Sequence, residues 1–186
     1  MRIIAGAWRG RTLAAPAGEA TRPTTDRLRQ ALFDMLLHAP WGGRALLDGA
    51  HVLDAFAGTG ALGLEALSRG ALSASFIERD PAAVAALRAN VAACRAEPRC
   101  TVLAADALTP PPGRPSRLVF LDPPYGLGLL SRATAALARA GWIADDTVIV
   151  AEAGRDETPE LGRRLAERAH GAGRISVWVA KAAPAP

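Results

Sequence analysis

The stretch that decides the fold is residues 52–63, which are Val-Leu-Asp-Ala-Phe-Ala-Gly-Thr-Gly-Ala-Leu-Gly. An apolar run leads into a glycine-rich turn and then into a helical pattern, which is the order of a buried strand, a ligand loop and a helix. Gly58 and Gly60 can adopt positive φ and let a ligand lie against bare backbone. The stretch therefore predicts an α/β domain with a ligand site after its first strand.

Strands and helices continue to alternate after this stretch. Further strands are predicted at 73–77, 101–103, 118–121 and 147–150, and helices at 60–69, 81–96 and 129–140. A proline-rich loop is predicted at 109–116 and a final strand at 175–179, where apolar and polar residues alternate. Such alternation implies right-handed crossovers and a mostly parallel sheet with helices on both faces.

The first 40 residues predict a small arm made of a hairpin and a helix. Residues 2–5 and 11–13 flank a turn that contains two glycines, which indicates a hairpin. Apolar residues at helical spacing follow and end before Pro40, which indicates a helix. We therefore divide the chain into an arm at 1–40, a main domain at 41–181 and a disordered tail at 182–186.

Positive charge is concentrated in this arm. Residues 1–29 contain six arginines and two acids, whereas the rest of the chain is formally neutral. Arginine pairs well with phosphate oxygens, so the arm suits a nucleic-acid backbone. Charge alone leaves a solvated basic surface equally open.

Composition excludes several classes of protein. Charged residues or glycine interrupt every apolar stretch before the roughly 20 residues that span a bilayer, so no membrane contact is expected. The N-terminus lacks the apolar core of a secretory signal. The two cysteines, Cys94 and Cys100, lack the spacing of a zinc site. We expect a cytoplasmic monomer without a metal site.

Acidic residues accompany the glycine loop. Asp54 precedes it, and Glu78 follows Gly58 by 20 residues, where a carboxylate can accept hydrogen bonds from both ribose hydroxyls of a nucleoside. Asp106, after the third strand, could receive an adenine amine. Residues 58–63 also match G-x-G-x-x-G, so a dinucleotide must be weighed. Asp54 favours an adenosyl amino acid instead, because its carboxylate would repel a pyrophosphate and attract an ammonium; a tight turn without a ligand stays open.

A second motif, Asp122-Pro123-Pro124-Tyr125, ends the strand at 118–121. Its prolines stiffen the loop at the edge of the sheet where ligands bind. A nucleobase amine is a poor nucleophile, since its lone pair is delocalised into the ring. The Asp122 carboxylate and the Pro123 carbonyl could hold both N–H bonds of such an amine while Tyr125 stacks on the base. Alternatively, the aspartate caps a turn, the prolines end a strand and the tyrosine belongs to the core.

These motifs, in this order, resemble the class I S-adenosylmethionine-dependent amino-methyltransferases. The likeness is closest in three segments, residues 2–10 (RIIAGAWRG), 22–27 (RPTTDR) and 60–71 (GALGLEALSRGA). Those segments resemble the bacterial 16S ribosomal RNA guanine-N2 methyltransferases of the RsmD family. The resemblance covers about residues 1–152.

The resemblance implies a Rossmann-like sheet of seven strands, with the last strand antiparallel, and direct methyl transfer without a metal or covalent intermediate. The implied acceptor is a guanine of 16S ribosomal RNA in the assembled small subunit. We assign the reacting centre to Asp122, Pro123, Pro124 and Tyr125. The predicted cofactor-binding residues are Asp54, Phe56, Gly58, Gly60, Glu78, Arg79, Asp106, Ala107 and Asp122. The predicted RNA-binding residues are Arg9, Arg11, Arg22, Thr24 and Arg27.

Two further functions are kept as alternatives. The motif at 122–125 also suits adenine-N6 methylation, but the short chain offers no separate domain for reading a DNA sequence. A non-catalytic RNA-binding assembly factor that retains the fold is the other alternative.

Overall fold

One sheet organises the chain, whose computed structural model describes residues 1–15, 26–171 and 173–180. In these ranges the sheet has seven strands in the order β3-β2-β1-β4-β5-β7-β6. The strands are β1 (His51–Ala55), β2 (Ser73–Glu78), β3 (Cys100–Ala104), β4 (Leu118–Leu121), β5 (Val148–Gly154), β6 (Arg163–His170) and β7 (Gly173–Val179). The first five strands are parallel, and β7 runs antiparallel to both β5 and β6, as predicted for the final strand. The order reverses between β1 and β4, which opens a crevice at their carboxyl ends.

Helices cover both faces of the sheet, as predicted. They are α1 (Asp26–His38), α2 (Ala61–Ser68), α3 (Pro81–Ala93) and α4 (Leu129–Arg139). The first three contribute to one buried cluster with Val52 and Phe120, and α4 contributes to a second cluster with Leu53 and Val119. Successive strand residues point to opposite faces, so the apolar residues of β1 and β4 supply both clusters.

The arm forms the predicted hairpin and packs onto the first cluster. Arg2 and Thr12 make an antiparallel bridge, and the amide of Ile3 donates to the carbonyl of Arg11 at 2.9 Å. Ile3 and Leu13 are buried in the same cluster as the sheet. The arm therefore shares the core of the main domain. The division of the chain at residue 40 stays a prediction, and the predicted tail at 182–186 lies outside the described residues.

Strand β6 was not predicted from the sequence. It lies at the edge of the sheet, pairs with β7 and carries Arg163, Arg164, Glu167 and Arg168. Charged side chains are common on edge strands because they discourage pairing with other chains. These charged residues also interrupt the apolar pattern from which the other strands were predicted.

The helix that begins at Pro81 ends at Ala93, before its predicted end at Ala96. The loop predicted at 109–116 contains no helix or strand. Cys94 and Cys100 are free thiols. Within the described ranges, no helix has the length and apolar character needed to cross a membrane.

Candidate active site

A cavity of about 550 Å³ opens at the carboxyl ends of β1 and β4. Asp54, Phe56 and Gly58 line it from the first motif, and residues 122–125 line it from the second. The two motifs meet because β1 and β4 are paired in parallel, with Ala55 opposite Leu121. The structure thus brings the glycine loop and the Asp-Pro-Pro-Tyr loop into one space.

The glycine loop depends on backbone angles that ordinary residues avoid. Gly58 and Gly60 have φ of 52° and 78°. An added Cβ at Gly58 would meet nothing within 4 Å, so the backbone there is open to a ligand. A Cβ at Gly60 would lie 2.3 Å from Leu87, so this glycine also lets α3 approach the loop. Phe56 has a φ of 68°, which costs of the order of 1 kcal/mol in a non-glycine residue and is typical of functional loops.

The carboxyl group of Asp54 is buried, with 2% of the residue exposed. It accepts a hydrogen bond at 2.9 Å from the amide of Gly63, in the first turn of α2. Burial raises the pKa of Asp54 from 3.8 to about 7, and the nearby charge of Glu78 adds to the rise, while the Gly63 amide opposes it. A buried acid that borders a cavity is suited to a cationic ligand, which would restore its ionised form.

Glu78 holds the glycine loop in place. Its Oε2 accepts the amide of Gly58 at 2.8 Å, and its Oε1 accepts the amides of Arg79 and Asp80, each at 2.8 Å. The carboxylate therefore connects the end of β2 to the turn after β1. Any ribose bound by Glu78 would meet an acceptor that is already oriented.

The predicted adenine side of the site lies beyond the cavity wall. Arg79 and Asp106 form an ion pair of 3.3 Å at the ends of β2 and β3. Ala107 is buried in the second core cluster. None of these three residues lines the 550 Å³ cavity, and neither do Glu78 and Gly60, whereas the other predicted residues of the β1 loop do.

The Asp-Pro-Pro-Tyr loop is supported from β5 and β7. The hydroxyl of Tyr125 donates to Oε1 of Glu152, and Nε2 of His170 lies 3.5 Å from the same oxygen. A Cβ at Gly173 would lie 2.7 Å from the Tyr125 hydroxyl, so this glycine makes room for the ring. Tyr125 is thus oriented by its neighbours while it borders the cavity.

Glu157 fixes the other end of this loop. Its two oxygens accept the amides of Gly126 at 3.0 Å and Gly154 at 2.8 Å. The bonds tie the segment after Tyr125 to the end of β5. Together with the rigid prolines, they leave the loop little freedom to move.

Two charged residues of the cavity wall, Arg29 and Glu152, were not predicted from the sequence. Glu152 follows Ala151 in β5, which is paired with Leu121, so it lies beside Asp122 at the end of the neighbouring strand. Arg29 of α1 is 1% exposed and donates to the carbonyl of Arg2 at 2.5 Å. The one available signal was position, since Glu152 follows the apolar run at 148–151 as Asp122 follows the one at 118–121.

Two buried polar residues attach the arm to the site. Glu65 in α2 accepts the amides of Ile4 at 2.7 Å and Ala5 at 3.0 Å. Asn90 in α3 donates to the carbonyls of Ala14 at 3.0 Å and Thr59 at 2.9 Å. Asn90 therefore joins the arm to the glycine loop through one side chain. Neither role was predicted.

The predicted RNA-binding residues differ in their surroundings. Arg9, Arg11 and Arg27 are all exposed, and the guanidinium of Arg11 also donates to the carbonyl of Ala93. Arg22 and Thr24 lie outside the described residues. Of the residues that the structure describes, no group of three or more histidine, cysteine, aspartate or glutamate side chains could hold a metal ion.

The chain is similar to several known proteins. The model of the family described as "Conserved hypothetical protein 95" matches residues 1–180. The chain is 43% identical over 154 residues to ribosomal RNA small subunit methyltransferase D of Escherichia coli K12, over 82% of this chain and 74% of that protein. The protein of the same name from Haemophilus influenzae is 36% identical over 179 residues, which are 92% of this chain and 89% of that protein.

A solved structure from Escherichia coli, described as a candidate methyltransferase named yhhF, has a TM-score of 0.82 at 37% identity. It covers 98% of this chain and 99% of that chain. The fold predicted from the sequence, a Rossmann-like class I methyltransferase, is confirmed. The family match extends past residue 152, where the likeness of the motifs was expected to end.

Proposed function

We propose that this chain methylates the N2 amine of a guanine in ribosomal RNA. The proposal starts from its family, because the chain belongs to the family described as "Conserved hypothetical protein 95", the RsmD family of methyltransferases. The methyl donor is S-adenosylmethionine, and the substrate is 16S ribosomal RNA in the assembled small subunit. The names of the curated relatives support ribosomal RNA as the substrate. The protein acts as a cytoplasmic monomer.

The residues present fit S-adenosylmethionine. Asp54 supplies a buried carboxylate for the ammonium of its amino-acid part. Gly58 supplies open backbone, and Glu78 supplies an oriented carboxylate for the ribose hydroxyls. Asp106 and the backbone of Ala107 are proposed to bind the adenine, with Arg79 closing that side. When bound, the cofactor supplies an electrophilic methyl group on a sulfonium.

The acceptor amine is proposed to bind at Asp122 and Pro123. The carboxylate oxygen and the proline carbonyl each accept one N–H, which turns the nitrogen lone pair toward the glycine loop. Tyr125 stacks on the base after it leaves its helix. The single observation that supports this arrangement best is the shared cavity, lined by Asp54 and Gly58 on one side and by residues 122–125 on the other.

The proton released after transfer needs no dedicated base. A methylated ammonium is acidic enough to lose its proton to water or to the Asp122 carboxylate. Asp122 therefore has two roles, in orienting the amine and in accepting the proton. The arm, with the exposed Arg9 and Arg27, is proposed to hold the RNA backbone.

Small subunits from a bacterial strain that lacks this modification provide the test. Purified protein and labelled S-adenosylmethionine should give N2-methylguanosine, identified by mass spectrometry of the digested RNA. Binding of the cofactor without transfer to any guanine would contradict the proposal.

Substitution of Asp122 separates the enzyme from the assembly factor. Asp122→Ala should lower kcat by about 10²-fold or more while RNA affinity changes little, because an acceptor used in the reaction is lost. Asp122→Asn is the matched control, since its amide oxygen still accepts one N–H, and it should retain more activity than the alanine variant. Full biological activity of Asp122→Ala would favour the assembly factor.

A further inference from the structure

We propose that Glu152 makes the cavity selective for guanine by accepting the ring N1–H that lies next to the methylated amine. The inference rests on the proposed function, and it names the residue that would set the identity of the base. Glu152 was not among the residues predicted from the sequence.

The placement of Glu152 follows from the sheet. Leu121 of β4 is paired with Ala151 of β5, so Asp122 and Glu152 are the next residues along two adjacent parallel strands. Adjacent strands lie roughly 5 Å apart. Both residues line the same cavity. A base whose amine is held by Asp122 therefore has the Glu152 carboxylate beside it.

The chemistry of the bases makes such a carboxylate selective. Adenine, cytosine and guanine each carry an exocyclic amine. Only in guanine is that amine flanked by a ring N–H, because N1 of adenine and N3 of cytosine are acceptors. An ionised carboxylate is an acceptor only. It gains a charge-assisted hydrogen bond from guanine N1–H and repels the ring lone pair of the other two bases.

The existing contacts of Glu152 are compatible with this role. Oε1 interacts with the Tyr125 hydroxyl and lies 3.5 Å from Nε2 of His170. A carboxylate has about four lone-pair positions, so one such group can accept from several donors at once. They also keep the side chain from rotating away. Glu152 is thereby held beside Tyr125, the residue proposed to stack on the base.

The test compares guanine with 2-aminopurine at the target position of small subunits reconstituted from ligated RNA. 2-Aminopurine keeps the amine on C2 but has a bare acceptor at N1. The unaltered protein should prefer guanine by about 100-fold in kcat/KM, since a site built to accept an N–H rejects an analogue that lacks it. Glu152→Gln should reduce this preference to about 10-fold or less, because a glutamine amide can either accept or donate.

Two further variants separate base recognition from a structural role. Glu152→Asp keeps a group that only accepts hydrogen bonds. It should slow the methylation of both bases while it retains the preference for guanine. Tyr125→Phe removes the hydroxyl that is bonded to Glu152, so it should slow the methylation of both bases by a similar factor. Melting curves and calorimetry with S-adenosylmethionine check that each variant is folded.

The outcomes are distinct. A preference that collapses in Glu152→Gln and persists in the two other variants supports the inference. An unchanged preference in Glu152→Gln, or an equal collapse in Tyr125→Phe, overturns it while guanine methylation by the unaltered protein still stands. If the unaltered protein methylates neither base, the proposed function fails and the inference fails with it.

Discussion

Replacement of Asp54 by asparagine should stabilise the ligand-free protein at alkaline pH. Burial raises the pKa of this carboxyl from 3.8 to about 7, so the folded protein carries an unfavourable charge at pH 8. The difference between the two pKa values, at about 1.4 kcal/mol per pKa unit, corresponds to a loss of about 4 kcal/mol in the free energy of unfolding at pH 8. Asparagine still accepts the amide of Gly63, but its own amide needs a partner, so we expect a gain of about 2 kcal/mol.

The sign of the pH dependence follows from the direction of the pKa change. Below pH 3.8 the carboxyl is protonated in both the folded and the unfolded chain, and its contribution to stability is fully present. As the pH rises, the unfolded chain ionises first, so the contribution declines and is lost by about pH 7. The Asp54→Asn variant has no such decline.

Urea unfolding of both proteins at about pH 4.5 and pH 8 measures the effect, since linear extrapolation gives the free energy of unfolding. The variant should gain stability relative to the unaltered protein between these two pH values. Calorimetry should show that the unaltered protein binds S-adenosylmethionine more tightly as the pH rises to about 7, and that the variant binds weakly throughout. A stability difference that is equal at both pH values would refute the reasoning.

Three other perturbations test separate parts of the structure. Gly63→Ala should destabilise the protein by about 1 to 3 kcal/mol in urea unfolding, because its Cβ would lie 2.4 Å from the Phe76 ring; an unchanged midpoint would contradict that contact. Glu65→Ala leaves two arm amides without the carboxylate that accepts them. It should therefore lower the free energy of unfolding by about 2 kcal/mol or more and make the arm sensitive to protease. An arm that stays resistant would count against this anchor. Arg9→Ala and Arg27→Ala should each reduce, by about one, the slope of the logarithm of the RNA-binding constant against the logarithm of salt concentration. Unaltered slopes would remove these residues from the RNA interface.

The sequence was sufficient for the parts of the fold in which hydrophobic pattern and turn chemistry agree. The run at 118–121 is apolar at every position and is followed by two prolines, so both its strand and its end could be predicted. The φ values of Gly58 and Gly60 could be predicted for the same reason, since a strand that turns at once into a helix requires glycine there. Such signals are local, and they also located the two halves of the candidate site.

The residues that were missed are defined by long-range packing. Glu65 and Arg69 are spaced i, i+4, which in a sequence is typical of an exposed ion pair, yet the Glu65 side chain is fully buried beneath the arm. Arg29 looked like one more cation of a basic segment, but it is buried in the cavity wall. Glu152 acquires its neighbours only when β5 is paired with β4 and β7, and β7 with β6. No local pattern contains this information.

The side chain of Asn90 has a thermodynamic consequence. One amide group donates to the carbonyl of Thr59 in the glycine loop and to the carbonyl of Ala14 in the arginine-rich arm. Occupancy of one binding region should therefore alter the affinity of the other, and by reciprocity the change in free energy must be the same in both directions. Methyl donor and RNA would then bind as linked partners, and Asn90→Ala should uncouple them.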